Sequence, residues 1–196
     1  MSRQTKTLKN RRTSKGLSPY WIWGGAGVAL LVIIGIFVLT QQNAPRLEPW
    51  QTFVIDSRDH VRSDQPPGPY ASDPPTGGKH FESPLPAGFY YPEEVANLPP
   101  YPEGYLVHSM EHGYVIFWYN CDADPDLSCT QLQQSIQQVM DEYGGDKLIA
   151  FPWASIQEPL AMTSWGRLQR FQAIDLDAMR YFVESNRYKA PEPNGM

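Results

Sequence analysis

The sequence predicts an α+β domain with a small mixed sheet, two helices and a long proline-rich irregular wrap, preceded by one N-terminal transmembrane helix. Three observations lead to this prediction. An uninterrupted apolar run lies near the N-terminus, a stretch rich in Pro, Gly and Tyr follows it, and strand-like and helix-like patterns then alternate.

The N-terminal part has the pattern of a membrane anchor. Residues 1–19 hold six positive charges and no acidic residue, and the following apolar run occupies residues 20–40. About twenty residues at roughly 1.5 Å each span the roughly 30 Å hydrocarbon core of a bilayer. Positive charges favour the cytoplasmic side, so residues 1–19 are predicted to be a cytoplasmic tail. The alternative is a cleaved signal peptide, but the run is long for one and lacks a small-x-small cleavage site.

The charge distribution separates the tail from the rest of the chain. Six of the sixteen Lys and Arg residues precede the apolar run, whereas all twenty-one acidic residues follow it. The remainder is therefore more acidic than the net charge of −5 suggests. Such a domain repels phosphates, so no nucleic-acid partner is expected.

A tether at residues 41–49 is predicted to lead into a domain at residues 50–190. Trp50 to Ile55 alternates loosely and predicts a first strand. Residues 63–104, which we call the Pro-rich wrap, exclude regular helix and central strand over most of their length, because proline lacks a donor and fixes φ. The wrap contains too many aromatic residues for a disordered segment, so we expect it to be ordered but irregular.

Elements after the wrap are predicted from periodicity and capping signals. Tyr114 to Tyr119 is β-branched and aromatic throughout, which indicates a central strand covered on both faces. Ser128 and Gln131 form a capping-box pair that begins a helix, and Gly144-Gly145 ends it. Further strands are predicted at Lys147 to Phe151 and at Leu160 to Trp165.

The chain closes with a predicted helix and a short tail. Asp175 can cap a helix whose apolar face is formed by Leu176, Met179, Phe182 and Val183. Beyond Lys189 the sequence is rich in proline, and residues 191–196 are expected to form a frayed tail.

Cys121 and Cys129 are predicted to form a disulfide. An exported domain lies in an oxidising compartment, where pairing of two cysteines is the default. Seven intervening residues do not fit a C-x-x-C redox motif. Thiolate metal ligands or free thiols are the alternatives.

All histidines of the chain lie in one stretch, from His60 to His112. His108 and His112 are four apart and share one face of either a helix or a strand, so both imidazoles can converge on one ion. His80 follows a flexible Thr-Gly-Gly turn and can supply a third ligand. His60 can be a fourth ligand or an orienting group, with Glu111 in a supporting role.

The metal expected from this ligand set is copper or zinc, and a thioether from Met110 would favour Cu(I). The alternative is that the histidines are structural and pin the wrap. His108-Ser-Met-Glu-His112 also fits the H-x-x-E-H motif of inverted zinc peptidases, but that motif needs a long helix, and Gly113 and the strand after it should end any helix. No nucleotide cofactor is expected, because no phosphate-binding glycine loop or dinucleotide fingerprint is present.

Four short segments resemble the domain-of-unknown-function 3105 family of membrane-anchored prokaryotic proteins. They are Pro74-Pro-Thr-Gly-Gly-Lys-His80, Val107-His-Ser-Met-Glu-His-Gly113, Met162-Thr-Ser-Trp-Gly-Arg167 and Ala190-Pro-Glu192. The chain departs from the family pattern at Gly77 and Lys79, and leucine is usual where Met110 stands, which weakens Met110 as a ligand. The resemblance implies no reaction; the signature positions it implies are His60, His80, His108, Glu111, His112, Trp165 and Arg167.

The sequence thus predicts a single-pass protein of the cell membrane whose exported domain binds copper or zinc through its histidines. Two other functions stay open. The domain could be a non-enzymatic module that docks on a membrane-protein partner and uses its histidines structurally, or it could be a zinc hydrolase built on H-x-x-E-H.

Overall fold

The computed structural model describes residues 48–195. The basic tail at 1–19, the predicted transmembrane helix at 20–40 and residues 41–47 of the tether lie outside this part. Within residues 48–195, no helix combines the length and the apolar character needed to cross a bilayer.

The described residues form a mixed α+β domain, as the sequence predicts. Its six strands are β1 (Gln51–Thr52), β2 (Gly88–Phe89), β3 (Val115–Tyr119), β4 (Leu148–Pro152), β5 (Leu160–Ser164) and β6 (Arg167–Phe171). The four helices in this part of the chain are α1 (Pro92–Val95), α2 (Pro102–Glu111), α3 (Cys129–Glu142) and α4 (Leu176–Asn186).

All six strands belong to one sheet in the order β1-β6-β5-β3-β4-β2. β3 pairs in parallel with β4 and antiparallel with β5, so that Phe117 lies opposite Ala150 on one side and Met162 on the other. The parallel pair needs a crossover connection, which α3 supplies. β3 therefore lies inside the sheet, consistent with its uninterrupted apolar sequence.

Both faces of β3 are covered, and its side chains alternate between two apolar cores. Val115, Phe117 and Tyr119 pack with residues of α3 and α4. Ile116 and Trp118 point to the other face, where they pack with residues of α2 and the Pro-rich wrap. The sheet is thus the middle of three layers, and the layer formed by α2 and the wrap carries His80 and His108.

Two predicted helix starts are confirmed by their hydrogen bonds. Ser128 Oγ accepts from the Gln131 amide at 3.2 Å, which caps α3, and Asp175 Oδ1 accepts from the Ala178 amide at 2.9 Å, which caps α4. Gly144 and Gly145 follow α3 with φ of 67° each, in the left-handed region that ends helices.

The wrap is irregular over most of its length, as predicted, but it includes α1 and the start of α2. Pro92 and Pro102 each occupy the first position of their helix, where the missing amide hydrogen is no loss and the fixed φ suits the helix. The prediction of two helices is therefore too low by these two elements.

The strand predictions differ from the structure at β6 and at β1. β6 was not predicted, because Arg167-Leu-Gln-Arg-Phe171 is too polar to show a strand pattern; it forms by pairing with β5. β1 is shorter than the predicted Trp50 to Ile55 and pairs only at the outer edge of β6.

The predicted disulfide between Cys121 and Cys129 is present and closes the connection from β3 to α3. It lies beyond the C-terminal end of β3, whereas the histidines of α2 precede the N-terminal end.

Replacing both cysteines with alanine should lower the free energy of unfolding by about 2–3 kcal/mol, because the unfolded chain regains the entropy of a short closed loop. Urea unfolding of the double variant beside the oxidised parent measures this difference. Equal midpoints for the two proteins would contradict a stabilising role. Metal binding at the other end of β3 should not change.

Candidate metal centre

The last turn of α2 carries His108 and Glu111 to the N-terminal end of β3, and His112 follows as the cap residue. Gly113 then reverses the chain at a φ of 85°, and its amide donates to Met110 O at 2.9 Å. The Gly113 carbonyl accepts from the Tyr188 amide at 2.9 Å. Helix and strand are therefore joined by a tight three-residue turn, which fixes the direction of the side chains just before it.

His60 and His80 come from segments that pair side by side as one parallel bridge. The Val61 amide donates to His80 O at 2.7 Å, and the His80 amide donates to Asp59 O at 3.1 Å. This bridge brings the His60 ring, which precedes the Pro-rich wrap, beside the His80 ring, which lies within the wrap.

The wrap is fastened to α2 at two places. The Phe81 ring packs against Gly104, where any side chain would overlap it. Ser109 Oγ donates to Leu85 O at 2.8 Å and accepts from the Leu85 amide at 2.9 Å. These contacts hold residues 81–85 against the helix and so bring His80 to His108.

The four rings form a connected group, which we call the histidine cluster (His60, His80, His108 and His112). His60 stacks on His108 with centroids 5.1 Å apart, and His80 stands edge-on to both rings. The ligand atoms of His60, His80 and His108 all lie within 4.8 Å of one another. Whether His60 joins the other histidines was open from the sequence, and the structure brings it to them.

His112 and Glu111 extend the cluster at its two ends. His112 Nε2 lies 2.7 Å from His108 Nε2. Glu111 Oε2 lies 2.9 Å from His80 Nε2, while Arg58 approaches the other carboxylate oxygen only to 4.0 Å. All the histidines and the glutamate singled out from the sequence therefore lie in one array.

Three of the imidazoles are oriented by backbone carbonyl groups. The Nδ1 atoms of His80, His108 and His112 lie 2.8, 2.5 and 3.1 Å from Gly78 O, Phe81 O and Glu192 O. A carbonyl oxygen can only accept, so each Nδ1 is assigned the hydrogen. In the neutral ring this leaves a lone pair on Nε2, the atom that binds metals.

The Nε2 lone pairs consequently face other acceptors. His80 Nε2 and Glu111 Oε2 are close but not aligned as a hydrogen bond, and His80 Nε2 has no hydrogen-bond partner among residues 48–195. The His108 and His112 Nε2 atoms also face each other. Acceptors at such separations repel unless a positive charge, a proton or a metal ion, lies with them.

Burial and the end of α2 both favour a bound cation. His80, His108, Glu111 and His112 are buried, so the Glu111 carboxylate is poorly compensated by solvent. Burial lowers the pKa of His108; the hydrogen bond to Phe81 opposes this shift, and the neighbouring imidazoles add to it. The lowered pKa favours the neutral His108 ring, which is the form that can act as a ligand. The partial negative charge at a helix C-terminus adds to the attraction.

Residues 190–195, which we call the C-terminal strap, lie against His112. The Glu192 amide donates to Glu111 O at 3.0 Å, in addition to the contact of Glu192 O with the His112 ring. Lys147 Nζ donates to His112 O, Pro193 O and Gly195 O at 2.7, 2.9 and 3.2 Å, which uses all three of its hydrogens. The tail expected to be frayed is in fact held to the site as far as Gly195.

The other signature residues have different positions relative to the cluster. The Trp165 ring stands perpendicular to His80 with centroids 6.2 Å apart and so forms one wall of the site. Arg167 donates to Trp165 O at 3.3 Å, and no contact joins it to the histidine cluster in the described part of the chain.

Two sequence interpretations lose their support here. Met110 Sδ accepts from Thr163 Oγ1 at 3.2 Å within the apolar core, so its thioether is not directed at the cluster. The peptidase interpretation needs a long helix and a free glutamate base, whereas α2 ends at Glu111 and the Glu111 carboxylate lies against His80.

Sequence reasoning missed the backbone carbonyls and Lys147. No residue type marks a carbonyl that will accept from an imidazole, because every residue has one. Lys147 showed only an indirect signal, its position as the first residue of a predicted strand.

One family model, described as "Protein of unknown function (DUF3105)", matches residues 60–196. No curated protein and no solved structure matches the chain. The matched range includes every residue of the histidine cluster, Glu111 and the C-terminal strap.

Gly113→Ala should lower the free energy of unfolding by about 2–4 kcal/mol. The alanine must adopt the positive φ of Gly113, which is unfavourable for residues with a side chain, and its Cβ lies 2.7 Å from the Tyr188 Cα. Gly144→Ala is the matched control, since it has a φ of 67° and nothing within 4 Å of an added Cβ, and it should cost about 1 kcal/mol. Chemical denaturation compares the two, and equal losses would show that the close approach at Gly113 is unimportant.

Proposed function

The chain belongs to the domain-of-unknown-function 3105 family, and we propose that its domain binds one zinc or copper ion in the histidine cluster. The observation that carries the proposal is the set of buried acceptors that face one another: His80 Nε2 toward Glu111 Oε2, and His108 Nε2 toward His112 Nε2. A metal ion removes this repulsion and uses the lone pairs that the backbone carbonyls have directed inward.

The distances between the ligand atoms require only a small movement of the rings when a metal ion binds. Two nitrogen ligands of a tetrahedral zinc ion, at roughly 2.0–2.1 Å from the metal, are about 3.3 Å apart. The ligand atoms of His60, His80 and His108 lie within 4.8 Å of one another, so each needs to move inward by about 1 Å or less. These three residues are the proposed ligands.

Glu111 and His112 are the two candidates for a fourth ligand. Glu111 is the carboxylate nearest His80, and His112 is the imidazole nearest His108. The His108 and His112 Nε2 atoms, at 2.7 Å, are closer than two ligands of one tetrahedral ion, so they must separate by about 0.6 Å if both bind. The group that does not bind then orients the ligand beside it.

The donor set narrows the choice of metal. All the available atoms are imidazole nitrogens and carboxylate oxygens, and these suit Zn²⁺ and Cu²⁺. The thioether that would have favoured Cu(I) is used in the core.

The metal content of the full chain tests the proposal. We expect one equivalent of zinc or copper after loading and desalting, and His80→Ala or His108→Ala should weaken binding by more than about 100-fold, since loss of an orienting partner alone costs 10–100-fold. A folded protein that refuses both metals would favour structural histidines and the docking-module alternative.

Glu111→Gln with Glu158→Gln as its matched control separates a site effect from a stability effect. The two glutamates are 3% and 4% exposed, but Glu158 pairs with Arg170 rather than with the cluster. Glu111→Gln should weaken metal binding by about 10-fold or more, whereas Glu158→Gln should leave it unchanged. Isothermal titration measures both, and equal effects would contradict a role for Glu111 in the site.

We also propose that the domain lies outside the cytoplasm, held at the cell membrane by residues 20–40. The Cys121–Cys129 disulfide supports an oxidising compartment, and the basic residues before the apolar run support a cytoplasmic N-terminus. Protease added to sealed right-side-out vesicles should digest the domain and spare an N-terminal tag. Protection of the domain would contradict this orientation.

A further inference from the structure

A cleft of about 500 Å³ adjoins the histidine cluster on the side of His60. Its walls include His60, Arg62, Asp64, Phe81, Glu82 and Tyr105. This volume is within the range of small-molecule sites, and it also suits a single side chain of a partner.

His60 differs from the other rings of the cluster in two ways. It is the one ring of the cluster that lines the cleft, and it is exposed, whereas His80, His108 and His112 are buried. The buried rings are each oriented by a carbonyl at Nδ1, but within residues 48–195 no hydrogen bond is made to the His60 ring. The side chain that borders the solvent is therefore also the least constrained.

Building on the proposed metal centre, we propose that the ion exchanges its ligand on the His60 side with a neutral nitrogen donor that enters through the cleft. The donor is an imidazole carried by a small molecule. Metal sites that keep a position open to an outside ligand take part in exchange or catalysis, whereas purely structural sites are closed.

The lining explains the preference for a neutral donor over an anion. Asp64 and Glu82 give the cleft two carboxylates, and its guanidinium, Arg62, is occupied by both Asp64 oxygens at 3.2 and 2.7 Å. No uncompensated positive charge of the lining is left to attract an anion. The half-buried Tyr105 ring, held edge-on to the buried Phe81 ring at 4.8 Å, provides an aromatic surface against which a planar ring can pack.

The test uses the full chain loaded with Co²⁺, and isothermal titration measures the binding of added ligands. Imidazole should bind in a saturable way while cobalt stays bound, and azide should bind at least tenfold more weakly. His60→Ala should bind imidazole at least tenfold more tightly than the parent, because the free ring takes the vacated place. A loaded protein that does not bind imidazole, or that prefers azide, would overturn the inference and leave the proposed metal site intact.

Ser83→Trp is the control for the route of entry, since Ser83 is an exposed residue of the cleft and touches no ring of the cluster. Filling the cleft there should raise the apparent Kd for imidazole at least tenfold and leave the cobalt content unchanged. Ser63→Trp, on the same cleft, repeats the test if the first variant folds poorly. Unchanged imidazole binding in the folded variants would show that the donor enters elsewhere. Failure of the parent to hold cobalt, zinc or copper would overturn both proposals.

Discussion

Three backbone carbonyl groups determine what the histidine cluster can do. By accepting from Nδ1 of His80, His108 and His112, they place the remaining lone pair of each ring on Nε2 and direct it inward. The cluster thus becomes a set of buried acceptors beside the Glu111 carboxylate, an arrangement that is unfavourable without a positive charge. Its electrostatics, more than the number of its histidines, favour a bound positive charge.

The fold was predictable wherever the sequence carries a local signal. β3 is apolar throughout because both of its faces are buried. The sequences of α3 and α4 indicate helices through their side-chain caps and apolar stripes. α2 has no such stripe, because every residue from Leu106 to Glu111 is buried. β6 gains its structure from its neighbour in the sheet, and this kind of tertiary support leaves no pattern in a short polar segment.

The candidate site was predictable in its side chains but not in its surroundings. The four-residue spacing of His108 and His112 and the grouping of all the histidines mark the cluster in the sequence. How His60 meets His80 depends on a two-bond bridge between irregular segments, which follows no periodicity. The role of Lys147 depends on three carbonyls that converge only after folding.

The contact between His112 and the C-terminal strap has a consequence for assembly. The ring nitrogen of His112 and the carbonyl of Glu192 are eighty residues apart in the chain, with four strands and two helices folded between them. A nascent or partly unfolded chain therefore lacks the contact between His112 and the C-terminal strap. An ion that requires this complete site would bind only to folded molecules. Under the proposed function, ion binding and completion of the domain would be thermodynamically linked, and the bound ion would stabilise only the folded protein.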